Sequence, residues 1–145
     1  MKQVLQNPFL GQAGADASER SAPQRFLIVG LGESGYAMAK WCLVQGAYVR
    51  LVDTRAHSDL RSQQLEWLAD LQKLGLQDAC FESSDWNTLL DGVDTVGISP
   101  GLSPIQEPTA ELLHLCQEHN ISVWSEIEFF ARAILALQTM SIPAE

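Results

Sequence analysis

At 145 residues, 46% of them hydrophobic and 19% charged, the chain has the length and composition of one globular domain with a sizeable core. A net charge of −9, with nine scattered cationic residues, argues against a nucleic-acid binder, which needs clustered Lys and Arg against the phosphates. No apolar run approaches the roughly 18 residues of a membrane span, Met1 is not followed by the apolar core of a signal peptide, and a cytoplasmic protein is expected.

Residues 1–24, rich in Gly, Ala, Ser, Gln and Pro, read as a flexible leader with one short apolar stretch from Val4 to Leu10. Order is expected from Arg25. "FLIVG" (26–30) is short and wholly apolar, as in the buried centre of a parallel sheet. A helix is predicted over Gly35 to Gln45, with Met38, Trp41, Cys42 and Gln45 on its packing face and Gly46 as its stop. "AYVRLVDT" (47–54) is a second strand. A helix over about 59–74 follows, packing through Leu65, Leu68, Leu71 and Trp67 and ending at Gly75. "DACFES" (78–83) is a third strand, "SDWNTLLDG" (84–92) a short helix capped by Ser84 or Asp85, and "VDTVGISPG" (93–101) a fourth strand ending in a turn. A helix over 108–120, a fifth strand at "ISVWSE" (121–126) and a last helix over 126–137 complete the pattern.

Strands alternating with helices imply a Rossmann-like, doubly wound α/β fold, because parallel neighbours need crossovers. Right-handed crossovers and a glycine loop after the first strand give the order 3-2-1-4-5, with helices on both faces.

The chemistry-bearing residues gather at strand ends. Gly30, Gly32 and Gly35 form G-x-G-x-x-G between a strand and a helix. Gly30 suits a tight turn, Gly32 leaves room for a phosphate, and Gly35 allows close helix–strand packing. The helix N-terminus adds unpaired N–H groups and partial positive charge. A turn that needs glycine for packing alone is the plainer alternative. Asp53 lies 23 residues beyond Gly30, the position of an acid that accepts ribose hydroxyls or a base N–H; a turn-capping Asp is its alternative. Arg55 shares that rim. "SPGLSP" after the fourth strand suits a type II turn with Gly101 at positive φ. Strands one and four flank the switch point, so Gly32, Asp53 and Gly101 are expected to converge on one crevice.

Other groups carry less. Cys42, Cys80 and Cys116 fit neither a disulfide framework nor a metal knot and read as buried free thiols. His57, His114 and His119 have no partners at metal spacing, and the four tryptophans read as packing residues. None of Lys2, Lys40 and Lys73 ends a phosphate-binding G-x-x-x-x-G-K-[ST] loop, and no catalytic constellation is visible.

Taken together, "VGLGESG", "VDTR", "DGVDTVGISPGLSP" and "VWSEIEFFARA" resemble the N-terminal domain of the MurD family, the UDP-N-acetylmuramoyl-L-alanine:D-glutamate ligases among the Mur ligases of peptidoglycan synthesis, over roughly residues 25–137. The resemblance implies a three-domain, ATP- and Mg2+-dependent enzyme. Its first domain holds the uridine nucleotide of UDP-MurNAc-L-Ala, its second ATP, and its third D-glutamate, whose amine attacks an acyl phosphate. On matching positions it implies that Gly32, Glu33, Ser34 and Gly35 flank the uracil and diphosphate, and that Asp53, Thr54 and Arg55 hold the uracil and ribose side. Ser99, Pro100 and Gly101 would meet the diphosphate, Gly101 through its backbone. ATP and Mg2+ are expected outside this sequence, with residues 138–145 starting a linker towards the ATP domain, and the chain alone is expected to be inactive. Glu33 departs from what a phosphate loop favours, since a carboxylate is repelled by a diphosphate; its side chain is expected to turn to base or solvent. Without the resemblance, the glycine loop and Asp53 also fit the NAD-binding half of an oxidoreductase, or a nucleotide-sensing regulatory module. Phe129, Phe130, Ile134 and Leu137 on the last helix are expected to leave apolar surface bare and to drive weak self-association.

Overall fold

The computed structural model describes residues 24–83, 85–99 and 109–141. Strands β1 (Arg25–Val29), β2 (Tyr48–Asp53), β3 (Asp78–Phe81), β4 (Thr95–Ile98) and β5 (Ser122–Ser125) form one parallel sheet in the order β3-β2-β1-β4-β5. Helices α1 (Glu33–Val44), α2 (Ser62–Lys73), α3 (Trp86–Leu89), α4 (Thr109–Glu118) and α5 (Glu126–Ser141) alternate with the strands and cover both faces, the doubly wound α/β fold that the sequence pattern predicts. Residues 1–23, expected as a leader, and Ser84, Pro100 and Gly101 lie outside the described residues.

β1 is central, and its residues 26–29 are buried from both sides. Alternation along the strand sends Phe26 and Ile28 into the layer of α1, α2 and α5, and Leu27 and Val29 into that of α3 and α4. The register matters for the site. Val29 pairs with Val52 and Ile98, Asp53 with Phe81, and Ile98 with Ser125, so the carboxyl ends of all five strands reach one rim.

Local differences from the sequence pattern have local causes. α1 begins at Glu33, two residues before Gly35, because Gly32 is an extended N-cap and the turn is already complete. Its buried face is Gly35, Met38, Ala39, Cys42 and Leu43, whereas Trp41 is half-buried and Gln45 is the C-cap. The helix expected from 59 divides into a 3-10 turn (His57–Asp59) and α2, which packs through Leu68 and Leu71 while Leu65 stays exposed. Trp67 stacks on Tyr36 with ring centroids 5.3 Å apart, joining α2 to α1. β3 stops at Phe81 because Glu82 turns into the left-handed region at φ 55°. α5 continues to Ser141, past the expected end at 137.

Gly97, in β4, decides how α5 docks. A Cβ there would sit 2.8 Å from Ile28 Cδ1 and 2.9 Å from Phe129 Cε2. Its absence lets Phe129 reach the sheet and meet the rings of Trp124 and Phe26 at centroid distances of 5.0 and 5.9 Å. Phe129 is therefore core rather than bare surface. Ile127, Phe130, Ile134 and Leu137 do remain exposed on α5.

Candidate functional site

The glycine loop between β1 and α1 is built by three different constraints. Gly30 has φ +99° and donates its N–H to Val52 O at 2.8 Å, which ties the turn to β2. A Cβ on Gly35 would collide with the Gly30 carbonyl, so this glycine permits the close crossing of helix over strand. Among the described residues, a Cβ on Gly32 would meet nothing within 4 Å, and they leave the loop open on that side. As N-cap, Gly32 offers no side-chain cap, and the first-turn N–H groups of α1 lack intrahelical acceptors. That arrangement, with the helix dipole behind it, attracts an anion. Glu33 is exposed at the same terminus.

Asp53 ends β2 and is only 3% exposed. Its carboxylate accepts four hydrogen bonds from within the chain. Leu31 N–H (2.7 Å) and Arg55 Nη2 (2.7 Å) reach Oδ2, while Arg55 N–H (2.9 Å) and Arg55 Nε (2.8 Å) reach Oδ1. Burial by itself pushes the carboxyl up. The Arg55 side chain, the Leu31 and Arg55 N–H groups and the Arg55 charge outweigh it and hold the group below its ordinary value. Two carboxylate oxygens have about four lone-pair sites, and these four contacts occupy them. Asp53 thereby braces the loop between β1 and α1.

The brace extends outward. Arg55 Nη2 also donates to Leu31 O at 3.1 Å, and Gln64 Nε2 reaches the same carbonyl at 2.9 Å. Glu82 N–H donates to Asp53 O and Arg55 O, holding the backbone of 53–55 from the far side. Thr54 is exposed between these anchored neighbours. Among the described residues, the second Nη of Arg55 has no acceptor, and its side chain is 44% exposed. Across the sheet, Ser99 Oγ lies 3.3 Å from where a Gly30 Cβ would stand, so the end of β4 does touch the glycine loop.

Residues 24–123 match the family model of the Mur ligase MurD-like N-terminal domain. The chain belongs to that family. It is 46% identical over 117 residues to a UDP-N-acetylmuramoylalanine–D-glutamate ligase of Cupriavidus pinatubonensis, covering 79% of this chain and 22% of the ligase. The ligase of the same name from Burkholderia vietnamiensis is 46% identical over 115 residues, covering 78% of this chain and 21% of the ligase. The chain thus spans 21–22% of the length of these curated relatives. A solved structure described as AtPrR2 in apo form shares the fold, with a TM-score of 0.53 and 20% identity over 78% of this chain and 45% of that one.

In this MurD-like domain the structure brings Gly32, Glu33, Ser34, Gly35, Asp53, Thr54, Arg55 and Ser99 to one rim. Three contributors go unnoticed in the sequence pattern. Gln64 is hidden because its role depends on how α2 packs. Glu82 shows no glycine to betray its positive φ. Glu126 begins α5 and accepts the Ser34 hydroxyl at 2.8 Å across 92 residues. A signal for it exists in "SEIE" (125–128), an N-terminal capping pattern, and Ser125 Oγ does accept Glu128 N–H at 3.3 Å. Among the described residues no group of three or more His, Cys, Asp or Glu converges as a metal site, and no helix is long and apolar enough to cross a membrane.

Proposed function

We propose that the chain holds the uridine diphosphate moiety of UDP-MurNAc-L-Ala, as the N-terminal domain of a cytoplasmic, ATP-dependent ligase that adds D-glutamate in peptidoglycan precursor synthesis. The observation that carries this reading is the uncapped N-terminus of α1, open at Gly32 and flanked by Arg55 and Ser99, in a chain of the MurD-like family. Backbone N–H groups of Glu33, Ser34 and Gly35 meet the diphosphate, so no lysine is needed, and the exposed Glu33 side chain turns away from it. Thr54 and the open Nη of Arg55 face the nucleoside, and Ser99, Pro100 and Gly101 complete the phosphate side. Asp53 acts through Leu31 and Arg55 rather than by touching ligand. ATP and Mg2+ supply carboxylate activation in the remainder of such a ligase, where D-glutamate also binds. The residues of this chain bind and orient the substrate.

The same geometry weakens the NAD alternative, because the acid that would hold the adenosine ribose is saturated from within. Calorimetric titration of the 145-residue chain with UDP-MurNAc-L-Ala and, separately, with NADH tests the reading. A uridine response that Arg55→Ala weakens is expected. NADH binding without a uridine response overturns it.

A further inference from the structure

The Ser34–Glu126 hydrogen bond constrains what the glycine loop can read. Ser34 is the second residue of α1, half-buried beside the open N-terminus, and its Oγ lies 2.8 Å from Glu126 Oε1. A carboxylate only accepts, so the hydroxyl must donate. A hydroxyl has a single hydrogen. With that hydrogen engaged by Glu126, Ser34 can offer a ligand only lone pairs. Phosphate oxygens are themselves acceptors, and they find their donors in the backbone N–H groups of the same helical turn. Two kinds of hydrogen-bonding group therefore lie side by side, donors for phosphate and one oriented acceptor for something else.

We propose that Glu126 is a positioning residue, which holds the Ser34 hydroxyl as an acceptor for a donor group on the nucleoside, and so favours a nucleoside diphosphate over a bare diphosphate. This rests on the nucleotide reading above. The donor is a ribose hydroxyl or the imide N–H of uracil, both of which lie on the nucleoside and neither on pyrophosphate. The placement follows from the fold. β5 ends level with β4, Ser125 caps α5 at the rim, and the first residue of α5 then meets the first turn of α1.

The test compares affinities of the 145-residue chain for uridine diphosphate and inorganic pyrophosphate, using the ratio of the two as the readout. Loss of charge or general damage near the loop moves both ligands together and leaves the ratio alone. One oriented hydrogen bond corresponds to a change of about three- to tenfold in that ratio. Ser34→Ala and Glu126→Ala are each expected to lower it by that factor. The double variant is expected to fall no further, and Glu126→Gln, which keeps an acceptor oxygen, to restore the ratio. 2′,3′-Dideoxyuridine diphosphate and N3-methyluridine diphosphate identify the donor, since sensitivity to Ser34→Ala disappears with whichever analogue lacks it. A ratio unchanged by Glu126→Ala while wild type binds uridine diphosphate overturns the assignment of Glu126 alone, as does sensitivity retained with both analogues. No uridine diphosphate binding by wild type overturns the nucleotide reading and this assignment with it.

Discussion

Replacing Asp53 with Asn separates a brace from a ligand-holding acid. The substitution keeps the side chain's shape and removes one acceptor oxygen. Every contact on the carboxylate is a donor, so the amide fits in neither orientation. Turned one way its NH2 faces Leu31 N–H and Arg55 Nη2, and turned the other it faces Arg55 N–H and Nε. Two hydrogen bonds are lost either way, at a site only 3% exposed. A buried donor left unmade costs about 1–3 kcal/mol. The Arg55 side chain is 44% exposed, so its share of the ion pair is discounted towards the few tenths of a kcal/mol typical of surface pairs. The sum is about 2–4 kcal/mol at pH 7, or a fall in melting temperature on the order of 6–14 °C. The acid dependence has a definite sign. Asp53 titrates lower in the folded chain than in the unfolded one, where about 3.9 is usual. Its stabilisation is complete above the unfolded value and is lost as pH falls through the folded one. Urea unfolding at pH 7, 5 and 3 should therefore show a wide gap between wild type and Asp53→Asn that narrows only below about pH 4. A variant within about 0.5 kcal/mol of wild type at pH 7, or a gap that ignores acid, would refute the bracing role.

The two glycines at positions 97 and 32 should respond oppositely. Gly97→Ala presses a methyl into Ile28 and Phe129 and is expected to destabilise by about 1–3 kcal/mol in thermal melts. Gly32→Ala meets none of the described atoms within 4 Å and is expected to leave stability within about 0.5 kcal/mol while weakening uridine diphosphate binding in the same titration calorimetry. Thiol reactivity at pH 8 should show at most one fast cysteine in the native chain, Cys80, and three in denaturant. Burial pushes the Cys116 thiol up to about 11 and Cys42 well above its ordinary value. On α5, Ile127, Phe130, Ile134 and Leu137 recur at alternating three- and four-residue spacing as an exposed stripe. Such a patch is on the order of a few hundred Å2, so two copies sharing it fall short of the roughly 1,000 Å2 of a stable interface. Weak, concentration-dependent dimerisation is expected in sedimentation velocity and should vanish in Ile134→Glu; a monomer at every concentration counts against it.

Much of the architecture is determined locally and is therefore visible in the chain. "FLIV" is short and wholly apolar, as suits a strand buried on both faces, and alternating strands and helices leave the parallel doubly wound sheet as the economical solution. Gly30 and Gly35 announce the loop because positive φ and close helix–strand approach exclude side chains there. The roles of Asp53, Gln64, Glu82, Gly97 and Glu126 depend instead on partners outside their own segments. Whether an acid at a strand end faces a ligand or the chain is decided by how many donors fold back onto it, and for Asp53 all four do. Glu126 and Ser34 are 92 residues apart and share no local pattern. The sequence by itself determined the sheet, its order and the rim on which a nucleotide loop must lie. Only the tertiary structure decided which polar groups on that rim remain open to a ligand, because hydrogen-bond capacity is finite and distant residues compete for it.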